Sequence, residues 1–380
     1  SEKRDTVNFE ACATPWARNN RGMAGVGQAV AHKLFSLAGV PSPDTTHVHF
    51  RIIDGANEDN ATDQYDGDLW GLYLMVEHPD GSFLDTRDLP DGNVFKMEGG
   101  SDQKHQGPTQ PTDGSDVTTF ISGYNAAQSL TWWRSNVDLP AYYSFRAVGR
   151  EINNNDMREN WNYVLYHNTN DHWTVVPWDL DLLYTPVTHH AGVMSIQNCL
   201  SQHSELNIEY ENRGRELQDL LFTPDQLGQV IDEIATFVNG SGQAESFAGV
   251  DHFMWNHNPL TDNSLDARIT LEGSYYENPS VNSLLAGGSV SRTLISADHA
   301  GMVQWLKDFM LSPSDSGGST GDNSPGYGYL FLSNEVADVQ IPNTPTIAYT
   351  GSTNCPANDL TFQCSAYSGA SAFAAIKWRI

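Results

Sequence analysis

Two short strand-like segments joined by a polar turn constrain the centre of this chain more than any other feature. Trp161–Tyr166 and Trp173–Trp178 are rich in aromatic and β-branched residues, and Asn168–Asp171 lies between them. Asn and Asp favour tight turns, so the pattern predicts a β-hairpin. A hairpin brings the residues that precede its first strand next to those that follow its second strand. The polar residues on these two flanks are therefore expected to meet at one end of a small sheet.

The flanks of the hairpin carry carboxylates and a carboxamide. Asp156 lies in the turn before the first strand and Asn162 at the start of that strand, and Asp179 and Asp181 follow the second strand. Oxygen ligands of this kind suit a hard divalent cation, and Mg²⁺ in such sites also takes ligands from phosphate and water. Two Asp residues after a strand, outside any wider motif, more often cap a turn. At the end of this hairpin, however, the cluster predicts a phosphoryl-transfer site.

The hairpin and the segments around it resemble a known family. An Asp, a turn, an Asn and a strand, followed by PWDLD (Pro177–Asp181), resemble the CotH kinase family, atypical protein kinases first known from bacterial spore coats. GLYLMVE (Gly71–Glu77) is equally diagnostic. Further family-like segments follow the family's order at Asn19–Pro41, Thr46–Asp54, Gly67–Asp85, Pro90–Gly100 and Asn212–Phe222. The chain has no GxGxxG loop and no HRD or DFG triplet, so ordinary kinase signatures would miss it.

Phosphoryl-transfer chemistry and the resemblance together suggest roles for the hairpin residues. Asp156 is expected to face the acceptor hydroxyl and accept its proton, while Asn162 and Asp179 bind the metal ions on the phosphates. Asp181 would help or replace Asp179. Asn162 lies six residues after Asp156, whereas ordinary kinases space this pair by five. Asn160 is the competing candidate, but the pattern of an Asn, an aromatic residue and the rest of the strand favours Asn162.

Three further residues are candidates for binding the nucleotide phosphates. Lys96 lies in a strand-like segment whose alternation places Val94 and Lys96 on one face. We expect it to bind phosphate, with Glu77 as its ion-pair partner or as a metal contact. Arg21 begins a helical segment, and a helix N-terminus favours anions. A solvated cross-strand pair is the alternative for Lys96 and Glu77, and a structural role is the alternative for Arg21.

The charge of the chain limits its partners. With 20 Lys plus Arg against 47 Asp plus Glu, the formal net charge is −27. This charge argues against nonspecific binding to nucleic acid or to an anionic membrane, and it favours a secreted or cell-surface location. No stretch is apolar enough to span a bilayer, and no signal peptide is present. We therefore expect the chain to be a piece of a longer, exported precursor.

The four cysteines permit three pairings. Cys355 and Cys364 flank a short loop in a strand-rich segment, which favours a local disulfide. Cys12 and Cys199 either form a second disulfide or remain free. A local disulfide agrees with an exported protein.

The order of the elements predicts an α+β fold. Strands are expected at 46–53, 69–77 and 92–98, and a Gly/Pro/Gln/Asp-rich loop is expected at 99–116. The resemblance implies an atypical protein-kinase-like fold with the hairpin as its catalytic unit, over residues 1–311. Residues 312–328 then predict a flexible linker or loop. Residues 329–380 resemble the incomplete start of an Ig-like or fibronectin-like β-sandwich.

An acidic loop is a candidate second metal site. Five carboxylates lie within one polar segment between two expected strands, at Asp54, Asp59, Asp63, Asp66 and Asp68. Oxygen-rich loops of this kind can bind Ca²⁺, although the spacing is not that of an EF-hand. A solvated acidic loop is the alternative.

These patterns predict an atypical protein kinase that transfers the γ-phosphoryl of ATP to Ser or Thr of a protein substrate or of the chain itself. The resemblance implies the ATP and the protein acceptor, whereas the residues indicate a divalent cation, Mg²⁺ or Mn²⁺. The first alternative is a secreted pseudokinase-like binding or adhesion module that binds Ca²⁺. The second is a metal-dependent phosphohydrolase with water as the acceptor.

Overall fold

The computed structural model describes most of the chain in separate ranges. These are residues 6–12, 23–53, 67–154, 156–184, 192, 194–240, 246–255, 298–311, 327–337, 342–343, 345–354, 360–370, 372–373 and 375. The strands are β1 (Val7–Glu10), β2 (Thr45–Ile52), β3 (Asp68–Glu77), β4 (Gly92–Glu98), β5 (Ser101–His105), β6 (Trp161–Asn168), β7 (Trp173–Pro177), β8 (Ile347–Tyr349) and β9 (Phe362–Cys364). The α-helices are α1 (Val26–Leu37), α2 (Gly81–Asp85), α3 (Ser115–Tyr124), α4 (Leu130–Asn136), α5 (Leu139–Glu151), α6 (Asn198–Gln202), α7 (Ser204–Leu220), α8 (Pro224–Asn239), α9 (Phe247–Trp255), α10 (His299–Leu311) and α11 (Tyr327–Glu335).

Two antiparallel sheets form the scaffold of the first half of the chain. The three-stranded sheet has the order β1-β3-β2, with Glu10 opposite Leu74. The four-stranded sheet has the order β5-β4-β6-β7. Its β6 and β7 are the predicted hairpin, with Tyr163 opposite Pro177. The α+β class predicted from the sequence is therefore present, with small antiparallel sheets and separate helices.

The hairpin turn is stabilised by its own Asn. Asn168 Oδ1 accepts hydrogen bonds from the backbone N–H groups of Asn170 at 2.8 Å and His172 at 3.2 Å. Asn side chains that bond to the backbone two residues ahead mimic a backbone turn. The turn fixes the register of β6 and β7, and so decides which residues meet at the opposite end of the hairpin.

Strand β4 brings a Lys and a Glu to that opposite end. It pairs with the free edge of β6, with Lys96 opposite Val164 and Glu98 opposite Trp161. Directly opposite residues of an antiparallel pair point to the same face of the sheet. Lys96 therefore shares a face with Val164, close to the first residues of β6.

The two faces of the four-stranded sheet contact different apolar clusters. Phe95 and Met97 of β4 lie in the main core together with the helices. Val94 lies on the other face, in a smaller cluster that also contains Leu74 of β3 and Trp178. The two sheets therefore pack on each other through this smaller cluster, and the predicted alternation of β4 is present. Lys96 is on the face that looks toward the three-stranded sheet.

The first part of the loop expected at 99–116 is a strand. Ser101–His105 forms β5, which pairs with β4 at the edge of the sheet. Its sequence, SDQKH, is polar throughout and carries no alternation of apolar residues. A strand at the edge of a sheet can be exposed to solvent and then needs no apolar face. Because β5 lacks apolar alternation, its sequence predicted a loop.

Helix α11 extends the main core past the boundary expected at 312–328. Glu335 pairs with Arg146 at 2.7 Å and with Arg150 at 2.6 Å, both on α5, and Leu332 is buried in the main core. Beyond it, β8 and β9 form a two-stranded sheet. The β-sandwich remains a prediction.

The disulfide predicted between Cys355 and Cys364 is not formed in the structure. Cys364 is a free thiol half-exposed in β9, and Cys355 lies outside the described residues. Cys12 and Cys199 are also free, and both are buried.

Within the ranges that the structure covers, no helix is both long enough and apolar enough to cross a membrane.

Candidate active site at the open end of the hairpin

Asp156 and Asn162 are joined by a side-chain hydrogen bond. Asn162 Nδ2 donates to Asp156 Oδ2 at 2.8 Å and to the Asp156 carbonyl at 3.3 Å, and both residues are buried. The bond uses the donor side of the amide and leaves Oδ1, the atom that a metal ion would bind, on the other side. The competing Asn160 lies in the preceding turn, where its carbonyl accepts from Gly99 N at 2.8 Å.

Asn162 and Asp179 adopt the same uncommon backbone conformation. Their φ angles are 67° and 56°, in the left-handed region that costs a residue other than Gly about 1–2 kcal/mol. Asn and Asp tolerate this region best. Residues held there by their surroundings cluster at active and binding sites. Asn162 lies at the start of β6 and Asp179 directly follows Trp178 after β7, so this conformation occurs at both predicted metal ligands. The competing Asn160 shares it with a φ of 63°.

Asp179 lies among other carboxylates. Burial raises its pKa, the charges of Glu98 and Asp156 raise the pKa further, and Lys96 lowers it. Glu10 of β1 is also affected, because burial and then the charge of Asp179 raise its pKa to about 7. Like charges gathered in a half-buried site disfavour ionisation. A divalent cation would remove that penalty by neutralising the carboxylates.

Lys96 is the cation beside this cluster. It forms an ion pair with Glu98, and its Nζ lies 5.1 Å from the centre of the Trp178 ring. Trp178 directly precedes Asp179. A partly exposed ion pair of this kind is weak in water, so a phosphate oxygen can replace Glu98 as the partner of Lys96. The geometry therefore suits the phosphate role expected from the sequence.

The expected pairing of Glu77 with Lys96 is wrong. Glu77 Oε2 instead pairs with Arg87 at 2.7 Å and accepts from Asp44 N at 3.0 Å. The Arg87 guanidinium also donates to the carbonyl of Ser42 at 2.6 Å and lies over the Phe83 ring at 4.1 Å. The reason is topological: Glu77 ends β3 of one sheet, whereas Lys96 lies on β4 of the other. Glu77 therefore holds the segment before β2 and the segment after α2 against each other.

This pairing leads to a stability prediction. Glu77→Gln is expected to lower the free energy of unfolding by about 3 kcal/mol, because it removes the nearer and buried carboxylate of Arg87, whereas the other one, Asp44 at 3.4 Å, is exposed. The affinity for nucleotide should stay unchanged. Urea unfolding followed by fluorescence checks the first expectation, and calorimetric titration with a nucleotide checks the second. A loss of nucleotide affinity without a loss of stability would return Glu77 to the phosphate site.

The charge of Asp181 acts on Cys12, the residue that follows β1 by two positions. Burial is the main cause of the raised pKa of the Cys12 thiol, and the charge of Asp181 contributes to it.

Two acidic residues at this site were not predicted from the sequence. Glu98 lies two residues after Lys96, so the strand alternation that selected Lys96 was an available signal for it. Glu10 gives no such signal, because its strand is short and its neighbour Asp179 is far away in the sequence.

The donor atoms suit a magnesium-type ion bound together with a ligand. Among the described residues, no group of three His, Cys, Asp or Glu side chains is arranged to hold a metal ion. Mg²⁺, however, is usually held by one or two carboxylates with substrate phosphates and water, not by an all-protein cage. Asp179 and the Asn162 amide oxygen are a donor set of that kind.

Most of the remaining residues that were expected to bind phosphate or calcium lie outside the part of the chain that the structure describes. Arg21 and the acidic residues Asp54, Asp59, Asp63 and Asp66 lie outside the described residues. Asp68, the last residue of the acidic segment, begins β3 opposite Ile52. The phosphate role of Arg21 and the calcium loop therefore stay predictions.

A comparison with models of protein families places this site in context. Residues 26–264, more than half of the chain, match the family described as CotH kinase protein. The chain belongs to the CotH kinase family. A search of curated proteins finds no match. The family match includes the whole hairpin, Lys96 and Glu98, and it begins after β1. Membership of the CotH kinase family supports a kinase-type transferase, a class of enzyme that in general uses ATP and a divalent metal ion.

Proposed function

We propose that this CotH-family chain is a protein kinase that transfers the γ-phosphoryl group of ATP to a Ser or Thr hydroxyl with Mg²⁺ or Mn²⁺. The observation that carries the proposal is the convergence of Asp156, Asn162 and Asp179 at one end of the hairpin, inside the family match. Phosphoryl transfer needs an oriented acceptor and charge neutralisation more than covalent catalysis. A hydrogen-bonded Asp, an amide oxygen and a carboxylate beside a Lys provide those elements.

Each residue has a defined task in the proposed reaction. Asp156 orients the acceptor hydroxyl and accepts its proton as the oxygen bonds to the γ-phosphorus, while the bond from that phosphorus to the β–γ bridging oxygen breaks and ADP leaves. Asn162 holds Asp156 through Nδ2. Asn162 Oδ1 and Asp179 would bind the metal ion, which neutralises the phosphate charges when bound. Lys96 neutralises the non-bridging oxygens after it exchanges Glu98 for phosphate.

The finer structural and cellular expectations belong to the same proposal. The four-stranded sheet and its helices would form an atypical kinase-like fold, and the segment after α11 would be the start of a β-sandwich. The net charge of −27 supports a secreted or cell-surface protein. It also means that the site must attract ATP through Lys96 and the metal ion, against the field of the whole chain. The acceptor would be another protein or the chain itself.

The test is the fate of the γ-phosphate. The chain is incubated with γ-labelled ATP, Mg²⁺ or Mn²⁺ and generic protein acceptors, and labelled protein and free labelled phosphate are measured separately. Labelled Ser or Thr is the expected result. Free phosphate without labelled protein would indicate the phosphohydrolase instead. Neither product, together with a melting temperature raised by Ca²⁺ and unaffected by ATP and Mg²⁺, would favour the calcium-binding module.

A further inference from the structure

Glu10 lies on the face of β1 that looks toward the hairpin. Residues two apart in a strand share a face, so Glu10 shares its face with Asn8. The Asn8 side chain contacts His78 Nδ1 at 3.4 Å, and the His78 ring lies 6.0 Å from the ring of Trp178. Trp178 directly precedes Asp179. The first strand therefore runs beside the end of β7, with Glu10 on the side of Asp179.

The residue that follows β1 supports this orientation. Cys12 is buried in the small cluster between the sheets, together with Val176 of β7 and Trp178. Its Sγ contacts the Glu10 carbonyl at 3.5 Å. The end of β1 is therefore fixed against the hairpin, and Glu10 is held between the two sheets at the rim of their contact.

A buried amide points to a missing ligand next to Glu10. Burial and then the charge of Asp179 raise the pKa of Glu10, and hydrogen bonding with the side chain of Gln28, on α1, lowers it. Gln28 is only 3% exposed, and its Oε1 has no hydrogen-bond partner within the described part of the chain. A buried polar atom without a partner costs about 1–3 kcal/mol. The Gln28 amide group therefore presents an unused oxygen beside a carboxylate that already faces Asp179.

We propose that Glu10 and the Gln28 amide oxygen are ligands of the divalent cation that Asp179 binds, so that β1 and α1 complete the metal site of the hairpin. This inference rests on the proposed function and extends it to residues that lie partly before the family match. Carboxylate and amide oxygens are the donors that Mg²⁺ and Mn²⁺ accept, and water or phosphate fills the remaining positions. The cation would offset the repulsion between Glu10 and Asp179 and satisfy Gln28 Oε1 at once.

Manganese binding without nucleotide tests the inference directly. Free Mn²⁺ is measured by electron paramagnetic resonance during titration of the full chain and of the Glu10→Gln, Glu10→Asp, Gln28→Leu and Asp179→Asn variants. We expect Mn²⁺ to bind about tenfold or more weakly to Glu10→Gln and to Gln28→Leu. Glu10→Asp should be weakened to a similar degree, because it keeps the charge but withdraws the carboxylate by one methylene. Glu205→Gln, which removes an exposed carboxylate on α7, is the matched control and should bind as the unmodified chain does.

The outcomes separate this inference from the proposed function. If Asp179→Asn loses Mn²⁺ while both Glu10 variants bind normally, the Glu10 inference is overturned and the hairpin metal site stands. If Glu10→Asp alone keeps full affinity, Glu10 acts only through its charge and is not a ligand. Absence of Mn²⁺ binding by the unmodified chain would overturn the inference, whereas the γ-phosphate assay decides the proposed function separately. Circular dichroism of each variant shows whether an altered affinity comes from a folded protein.

Discussion

Asp156→Asn and Asp179→Asn are expected to abolish phosphoryl transfer in two different ways. Asp156→Asn should lower the transfer rate about 10³-fold and change the affinity for ATP little, because it removes the proton acceptor and leaves the metal ligands. Asp179→Asn should weaken metal-dependent nucleotide binding more than about 100-fold, since it removes a direct ligand of the ion. A lower rate with normal affinity would identify Asp156 as the proton acceptor, and a lower affinity would identify Asp179 as a metal ligand.

Single-turnover transfer of γ-labelled phosphate measures the rate, and calorimetric titration with a non-hydrolysable ATP analogue and Mn²⁺ measures the affinity. Asp171→Asn is the matched control, because Asp171 lies in the turn at the far end of the same hairpin and its side chain is 92% exposed. It should change neither quantity. The role assignment fails if Asp156→Asn weakens binding as much as Asp179→Asn does, or if both variants transfer phosphate at the normal rate.

Asp179→Asn should also leave the fold intact. Burial raises the pKa of Asp179, and the charges of Glu98 and Asp156 raise it further, so the ionised carboxylate is unfavourable in the metal-free protein. The melting temperature of metal-free Asp179→Asn should therefore equal or exceed that of the unmodified chain. Any loss of binding then reflects the missing ligand.

Glu151→Gln is expected to stabilise the protein strongly at neutral pH. Glu151 ends α5 fully buried, and neither carboxylate oxygen has a hydrogen-bond partner among the residues that the structure describes. Burial raises its pKa well above the ordinary value of 4.5. The folded protein therefore keeps the carboxyl protonated while the unfolded chain ionises it. Each pH unit between that ordinary value and the folded-state pKa costs the folded state about 1.4 kcal/mol.

The sign of this effect makes it easy to recognise. Because the folded-state pKa is raised, the cost is absent below pH 4.5 and increases as the pH rises toward the folded-state value. Urea unfolding of the unmodified chain and of Glu151→Gln across this range should give equal stabilities at the acidic end and a growing advantage for the variant above it. Glu205→Gln, at an exposed position, should show no such trend. A constant difference at all pH values would mean that Glu151 is not held protonated.

The local part of the site was predictable from the sequence, and the part that depends on packing was not. The hairpin follows from two apolar segments and the Asn168 turn, and its register alone brings Asn162 to the same end as Asp179. Lys96 follows from strand alternation in β4. These features depend on residues close to one another in the chain or joined by one tight turn.

The contacts between the two sheets carried no comparable signal. Glu77 was expected to pair with Lys96, but it pairs with Arg87. Glu77 lies on β3 and Lys96 lies on β4, and these two strands belong to different sheets. Glu10 approaches Asp179 only because β1 pairs with β3 and the sheets then pack through Leu74 and Trp178. Such contacts depend on tertiary packing, which local pattern does not specify.

The position of helix α11 also depends on tertiary packing that the local sequence pattern does not specify. The Gly- and Ser-rich segment before residue 327 predicted a linker, and the residues after it predicted a sandwich. Helix α11 instead returns to α5, where Glu335 meets Arg146 and Arg150. The partners of Glu335 lie more than 180 residues earlier, so no local pattern could indicate that this helix belongs to the main core.

The most direct test of the central claim is a crystal structure with Mn²⁺ and a non-hydrolysable ATP analogue, in which anomalous scattering locates the metal. The account predicts a manganese peak within about 2.2 Å of oxygen atoms of Asp179 and Asn162, with the γ-phosphate beside Lys96 and Asp156. Manganese and nucleotide found elsewhere, for example in the open groove between α8 and α10 lined by Phe237 and Lys307, would contradict it.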